Sequence, residues 1–252
     1  MTKQEALFKY LLRLGDSSLI LAQRNAEWCG HGPFLEEDLA LTNISLDLLG
    51  QANSILNYAG TIEGKGRNED DLAFLRNERE YFNHLLTEVP NGDYGNTILR
   101  QFCCDAFDFF LYSALVKSKD ETLSAIAEKS LKEITYHLRH SSSWVERLGD
   151  GTEESHSRMQ NALGDLWRFT GEMFEMNEVD SILLKEGIAA DLNSIKPQWE
   201  TKVKEVLLRS TLKIPENTFM QRGSRDGRHT EHLGYILAEM QSLPRSMPHA
   251  KW

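Results

Sequence analysis

The chain has 252 residues, of which 38 are acidic and 28 are basic, so its formal net charge is -10. An acidic protein of this kind is poorly suited to bind nucleic acid or an anionic membrane surface, and we expect neither as a partner. Its three cysteines form no even disulfide framework, and neither a leader-like N-terminus nor a membrane-length apolar run is present. We therefore predict a cytoplasmic protein.

Helical periodicity dominates the first third of the chain. Apolar positions over about 4–28 predict a first helix, with Gly15 as a weak point, and the breaker-rich linker CGHGPF predicts a tight return into a second helix over 36–59. A polar run, GTIEGKGRNEDD, then leads to a shorter crossover helix with apolar residues between Leu72 and Leu86. The first two helices should form an antiparallel hairpin.

A second hairpin is predicted after the loop signal VPNGDYGN, with helices over 98–116 and 122–148. The order of hairpin, long connection and hairpin is typical of a ferritin-like four-helix bundle. We therefore predict an all-α fold and a single domain over 1–252. The bundle would occupy about 4–149, and wrapping helices and a tail about 150–252.

Additional helices are predicted on the C-terminal side of the bundle. Periodicity favours helices over 154–174, 178–186 and 197–210. The tail begins with a basic, glycine-bearing loop, continues as a short amphipathic helix from Thr230, and is expected to end in proline-punctuated extended chain. The third bundle helix is rich in aromatic residues, which we expect in the core or at a subunit interface: Phe102, Phe107, Phe109, Phe110 and Tyr112.

The second helix raises the first question about function. Its sequence is apolar around most of the circumference, which predicts a helix buried inside a bundle. A carboxylate on the inner strip of such a helix is costly unless it is paired or binds metal. The single polar strip does contain a carboxylate, and consists of Asn43, Asp47, Gly50, Gln51 and Ser54.

A di-iron centre in a ferritin-like bundle needs one Glu from each of two helices and a Glu-x-x-His pair from each of the other two. Here Asp47 is followed at i+3 by Gly50, and Glu133 is followed at i+3 by Tyr136. Both expected histidines are missing, so we predict no metal, cofactor-binding or catalytic residue in this chain. The alternative left open is a metalloenzyme with a divergent site built around Asp47, Glu133 and His137.

Other acids could join such a site or be relics of one. Asp16, Asp105 and Asp108 could face inward from the first and third helices, and His140 lies one turn beyond the alternative site. Buried acids that have lost a metal need local partners. Five cations near the bundle helices are available for this role: Arg13, Arg24, Arg100, Lys132 and Arg139.

Three short motifs are better explained by structure than by chemistry. The Glu-x-x-His match from Glu153 to His156 sits at the polar start of an outer helix, where acids favour the helix dipole. In the HTEH motif, His229 and His232 could bind zinc with Glu231 or Asp226, but helix capping or a subunit contact is favoured. The pair of Cys29 and His31 is interpreted as a structural turn.

Four longer stretches carry a further signal: RLGDSSLILAQRNAEWCGHGPFLEEDLALTNISLDLLGQA, PNGDYGNTILRQF, KEITYHLRHSSSWVERLGDGT and HTEHLGYILAEMQ. They closely resemble the C subunit of the bacterial phenylacetyl-coenzyme A epoxidase, and the resemblance runs from about Leu12 to Trp252. It implies a ferritin-like fold and membership of an oxygen-dependent monooxygenase complex. That complex forms the ring 1,2-epoxide of phenylacetyl-coenzyme A during aerobic phenylacetate breakdown.

The same resemblance implies a division of labour between subunits. The related A subunit would carry the di-iron centre, and a reductase subunit with FAD and an iron-sulfur cluster would supply electrons from NADPH. This chain would be a non-catalytic structural subunit without a cofactor of its own. Its partners would be the A subunit, other epoxidase subunits and, when isolated, a second copy in a homodimer.

Overall fold

The computed structural model describes residues 1–247, and within that range the chain forms α-helices and short 3-10 turns without a β-strand. The all-α prediction is therefore confirmed. The chain divides into two compact units. We call residues 1–90 together with the segment from 223 onward the terminal unit, and residues 91–222 the central unit. That 1–252 forms a single domain stays a prediction.

The terminal unit is built on one long helical hairpin. Helix α1 spans Lys3–Ala26 and helix α2 spans Leu35–Glu63. The side chain of Gln4 donates to the Ile62 carbonyl at 2.6 Å, so the start of α1 lies beside the end of α2. This contact confirms the predicted antiparallel hairpin.

Gly15 allows the two helices to pack closely. Helix α1 runs through this residue without a break. A Cβ built on Gly15 would lie 2.7 Å from Cδ2 of Leu56 on α2, closer than real Cβ contacts allow. Further along the hairpin, the Ser45 hydroxyl donates to the Ala22 carbonyl at 2.8 Å. Gly15 is therefore a packing residue, and a larger side chain there would displace the buried side chain of Leu56.

The prediction that α2 is buried around its circumference is wrong. Leu41, Ile44 and Leu48 are buried, but Leu39 is 54% exposed and Leu46 is 59% exposed. The reason is geometric, because the hairpin partner α1 covers one side of α2 and these leucines point away from it. An apolar sequence on all sides of a helix therefore did not mean burial on all sides.

The single crossover helix predicted between Leu72 and Leu86 is also wrong. The structure has helix α3 at Glu69–Phe74, a 3-10 turn at Glu78–Glu80 and helix α4 at Leu85–Glu88. The carboxylate of Asp16 accepts the N–H of Phe82 at 2.9 Å, a donor that a continuous helix would use internally. A buried acid on α1 thus competes with the helix for this backbone group.

The central unit contains the second predicted hairpin. Helix α5 spans Tyr94–Leu115 and helix α6 spans Glu121–Gly149. Helix α5 begins four residues before its predicted start, because the Asp93 side chain caps it by accepting the N–H of Asn96 at 2.9 Å. The start of α5 also packs against α6, where Tyr94 and Trp144 make an edge-to-face contact.

Three further helices complete this unit: α7 at Glu153–Leu166, α8 at Glu178–Lys185 and α9 at Leu192–Arg209. The helix predicted over 154–174 ends early, and 3-10 turns occupy 167–169 and 171–174. Helix α9 starts five residues before the predicted Pro197, which lies inside it.

The aromatic residues of α5 divide into two groups. Phe102, Phe107 and Tyr112 are buried, which confirms a core position for them. Phe109 and Phe110 are half-buried and lie edge to face, with ring centroids 5.3 Å apart. These two line a surface groove of about 450 Å³ in the central unit, for which an interface role stays a prediction.

The chain returns to the terminal unit in helix α10, Glu231–Ser246, with Thr230 as its N-cap, as predicted. The extended tail expected here is wrong as far as Ser246, because the helix continues through Pro244. The rest of the predicted tail, from residue 248, lies outside the described residues. No helix within 1–247 is long and apolar enough to cross a membrane.

Candidate functional site

The metal site left open by the sequence would need several donors close together. Among residues 1–247, no three His, Cys, Asp or Glu side chains are grouped so that they could hold a metal ion. A di-iron centre uses a larger donor set. The described residues therefore do not provide the ligand set of a di-iron centre. That the purified protein binds no metal stays a prediction.

On α2, Asp47 and Gly50 are both half-buried. A Cβ built on Gly50 meets no heavy atom within 4 Å, so packing does not require a glycine there. The structure has room for a side chain where a metal-binding histidine would stand. Its absence is a property of the sequence and is not imposed by the fold.

On α6, the inward-facing residue lies one position after the i+3 position that the ligand spacing predicts. Tyr136, which occupies the i+3 position after Glu133, is 44% exposed, whereas His137 is fully buried. Glu133 and His140 are half-buried, and the ring of Tyr136 stacks on that of His140. The inward ring on α6 therefore belongs to His137, and Tyr136 is not the inward replacement of a lost ligand that the spacing suggested.

A buried acid cluster connects α5 and α6. Asp105 is buried, and its two carboxyl oxygens accept hydrogen bonds from the Gln101 amide at 2.6 Å and from the Ser141 hydroxyl at 2.7 Å. Burial raises the pKa of Asp105 well above its usual value, and these two hydrogen bonds offset only part of the rise. The charge of nearby Asp108 raises it further. This acid favours its neutral form.

Asp108 has a related environment one turn further along α5. Burial of its carboxyl raises its pKa to about 7. Asp105 is buried, whereas Asp108 is half-buried at the surface of the helix. The arrangement supports a structural cluster on the α5/α6 hairpin.

The inward acid on α1 is paired instead. Asp16 is fully buried and forms a two-pronged ion pair with the buried guanidinium of Arg76. Arg76 also donates to the Glu80 carbonyl at 2.7 Å and lies 4.2 Å from the ring centroid of Tyr81. The pair therefore attaches the crossover segment to α1 through the protein interior.

The sequence did not identify Arg76, which was not among the five predicted cations. It follows Phe74 and Leu75, and an arginine at the end of an apolar run was the only available signal. The five have other surroundings in the structure: Arg13 lies near the Tyr10 ring, Arg24 binds Glu27 and the Glu88 carbonyl, Arg100 donates to Asn91, Lys132 is exposed, and Arg139 lies over the Tyr136 ring.

A second buried cluster joins the crossover to the C-terminal segment. The side chains of Glu88 and His229 are fully buried, and the Nδ1 of His229 lies 2.8 Å from a Glu88 carboxylate oxygen. The other carboxylate oxygen accepts the N–H of Thr230 at 2.6 Å, and the Asn83 amide donates to the first at 2.9 Å. Glu88 therefore holds the residues that begin α10.

His229 makes two contacts with acceptors. Its Nε2 lies 2.9 Å from the Tyr81 carbonyl, which only accepts, while its Nδ1 faces the Glu88 carboxylate. Burial alone would lower the pKa of His229, but the hydrogen bond and charge of Glu88 outweigh it and raise that pKa above the usual value. The two acceptors and the raised pKa favour an imidazolium that donates from both nitrogens.

The HTEH motif is thus a structural contact. His232 is half-buried, and its backbone N–H donates to the side chain of the N-cap residue Thr230. Glu231 and Asp226 are exposed, so the zinc arrangement considered for this motif does not form. Of the predicted alternatives, capping is confirmed for Thr230, whereas the contact that His229 makes lies within the chain.

The other two motifs have the structural roles predicted for them. Glu153 is exposed in the first turn of α7, and the Nδ1 of His156 lies 2.7 Å from the Gly149 carbonyl at the end of α6. The ring nitrogen of His31 contacts the Cys29 carbonyl at 3.2 Å within the turn between α1 and α2. Neither motif gathers the ligands of a metal or thiol site.

Comparison with known proteins adds what the geometry does not show. The sequence model of a family described as "Phenylacetic acid catabolic protein" matches residues 1–252. The chain is 50% identical over 246 residues to a protein of Escherichia coli (strain K12) that is named as the C subunit of 1,2-phenylacetyl-CoA epoxidase. The alignment covers 98% of this chain and 99% of that relative.

Proposed function

This chain belongs to the phenylacetic acid catabolic protein family, and on that basis we propose that it is the non-catalytic structural subunit of a phenylacetyl-CoA epoxidase. In this proposal it pairs with a catalytic A subunit in the cytoplasm. The A subunit carries the di-iron centre, and a reductase subunit uses NADPH, FAD and an iron-sulfur cluster. The proposal rests on 50% identity across almost the whole of the C subunit of an epoxidase.

The polar clusters support a structural role. Asp16 is paired with an arginine, Glu88 with a histidine, and Asp105 is held by two neutral side chains. Each of these buried acids has a local structural partner. None belongs to a group of three potential metal donors in the described part of the chain.

Reconstitution with the A-type subunit tests the proposal. The two chains are expressed together and separately, and complex formation is measured by size exclusion with light scattering. Epoxidation of phenylacetyl-CoA is then followed with the reductase present. We expect a stable complex and little activity from either chain alone. Full activity of the A-type subunit without this chain, or failure of the two to associate, would refute the proposal.

The alternative metalloenzyme is tested with a double variant, Glu133→Gln with His137→Gln, which keeps similar volumes in α6. The structural proposal predicts that the folded variant retains the metal content and activity of the complex. Loss of metal with an intact complex would instead support a divergent site. His137 is fully buried, so its replacement can also disturb folding. Circular dichroism and light scattering distinguish misfolding from a specific loss of metal.

A further inference from the structure

Helix α2 presents a row of exposed apolar side chains. Leu35 is 70% exposed, and Leu39, Leu46 and Leu49 are each exposed by more than two-fifths. We call these four residues the α2 leucine stripe. Phe34, at the N-cap of α2, extends it and is exposed as well. Large contiguous apolar patches are uncommon on a free protein surface and mark interaction sites.

The spacing of the stripe is that of a helix-packing seam. Its members are separated by four, seven and three residues, and Thr42 divides the middle interval into three and four. Alternating steps of three and four average 3.5 residues, the period of side chains that interlock with a second helix. From Leu35 to Leu49 the stripe is about 21 Å long at 1.5 Å per residue. It can therefore hold about four turns of a partner helix.

Charge indicates which kind of helix fits. The first turn of α2 contains Glu36, Glu37 and Asp38, beside the N-terminal end of the stripe. Glu36 is exposed, and the whole chain carries a net charge of -10. A parallel pairing of two copies of this chain would place the acidic turns side by side, where they would repel each other. The complementary partner has an apolar heptad face with Lys or Arg near the end that meets this turn.

We propose that the α2 leucine stripe is the surface on which a helix of the catalytic A-type subunit packs. This inference rests on the proposed function, which requires such a partner, and adds the location and chemistry of the contact. The helix would bury Leu39 and Leu46 at the centre of the interface and place its basic residues near Glu36.

Affinity measurements between this chain and the purified A-type subunit test the inference. The variant Leu39→Gln with Leu46→Gln removes the centre of the stripe without touching the buried side of α2. Its matched control is Leu208→Gln, which changes a leucine that is 79% exposed in the central unit. We expect the double variant to weaken binding by about 100-fold and the control to leave it unchanged.

Two further measurements identify the occupant. Glu36→Lys should weaken binding and reduce its dependence on salt, because it reverses a charge that faces the basic end of the partner helix. Hydrogen exchange should show protection over 34–50 in the complex. Light scattering of the isolated chain tests self-association, and a dimer lost in the leucine variant would overturn the inference in favour of a second copy.

The outcomes separate the two proposals. If the wild-type chain does not bind the A-type subunit, the proposed function fails and the inference fails with it. If the wild type binds and the folded leucine variant binds equally well, only the inference fails. Equal weakening by Leu208→Gln would also overturn it, because the effect would then not be specific to the stripe.

Discussion

Replacing Arg76 with methionine removes the cation that faces the fully buried carboxylate of Asp16. The substitution keeps most of the side-chain volume and leaves in place the backbone N–H of Phe82, which in the wild type donates to that carboxylate at 2.9 Å. Removing one member of a buried ion pair costs about 3–5 kcal/mol, because the other charge is left desolvated. We expect Arg76→Met to destabilise the terminal unit by that amount.

Native-state hydrogen exchange measures this loss where it occurs. The opening free energy of amides over 69–88 should fall in Arg76→Met by about 3–5 kcal/mol. The double variant with Asp16→Asn should cost at least about 1 kcal/mol less than the sum of the two single changes, because the two side chains interact directly. Urea unfolding provides an independent measurement.

A surface pair provides the control. Arg209 is half-exposed and bridges Glu146 and Glu205, so its replacement should cost no more than about 1 kcal/mol. If Arg76→Met were equally mild, the buried pair would contribute little and the reasoning about the terminal unit would be wrong. An additive double variant would contradict the direct coupling of Asp16 and Arg76.

Three further predictions concern pH, glycines and thiols. Folding raises the pKa of His229 above its ordinary value of 6.5, so protonation of this histidine stabilises the folded protein. This stabilisation should be complete below pH 6.5 and should be lost as the pH rises through the pKa of the folded state. The free energy of unfolding, measured as a function of pH, should show this loss in the wild type and not in His229→Gln. Gly50→Ala should stabilise α2 by about 0.5–1 kcal/mol, since no atom lies near the added Cβ. Gly15→Ala should destabilise the protein, because the added Cβ conflicts with Leu56. Changes of the same sign in the two thermal unfolding midpoints would contradict this prediction. Exposed Cys29 should react rapidly with a thiol reagent in the folded protein, while the two cysteines of α5, whose pKa values burial raises, should react only on unfolding; three rapid thiols would refute this.

The long helices were predictable because local signals and packing agree there. Apolar periodicity located both hairpins. Glycine and proline marked the turn between α1 and α2, and the polar run SKDE marked the break between α5 and α6. The crossover was mispredicted because its apolar spacing is helical while its backbone is held by distant side chains, chiefly Asp16 and Arg76. Their interaction spans sixty positions and leaves no local pattern in the sequence.

The site was predictable in the same uneven way. Spacing alone showed that Gly50 follows Asp47 where a histidine would be needed. Spacing could not show that His137 faces inward in place of Tyr136. Adjacent residues lie about 100° apart around the helix axis, and packing decides which of the two faces the interior. Nor could spacing pair Glu88 with His229, which lie on opposite sides of the central unit in sequence.

Iron analysis of the isolated, purified chain tests the proposed structural role most directly. The chain is loaded with Fe(II) without oxygen, desalted and assayed for bound iron, and the A-type subunit is treated in parallel as a positive control. The structural role predicts no stoichiometric iron in this chain and a di-iron complement in its partner. Two tightly bound irons in this chain, lost on substitution of Glu133 and His137, would contradict it.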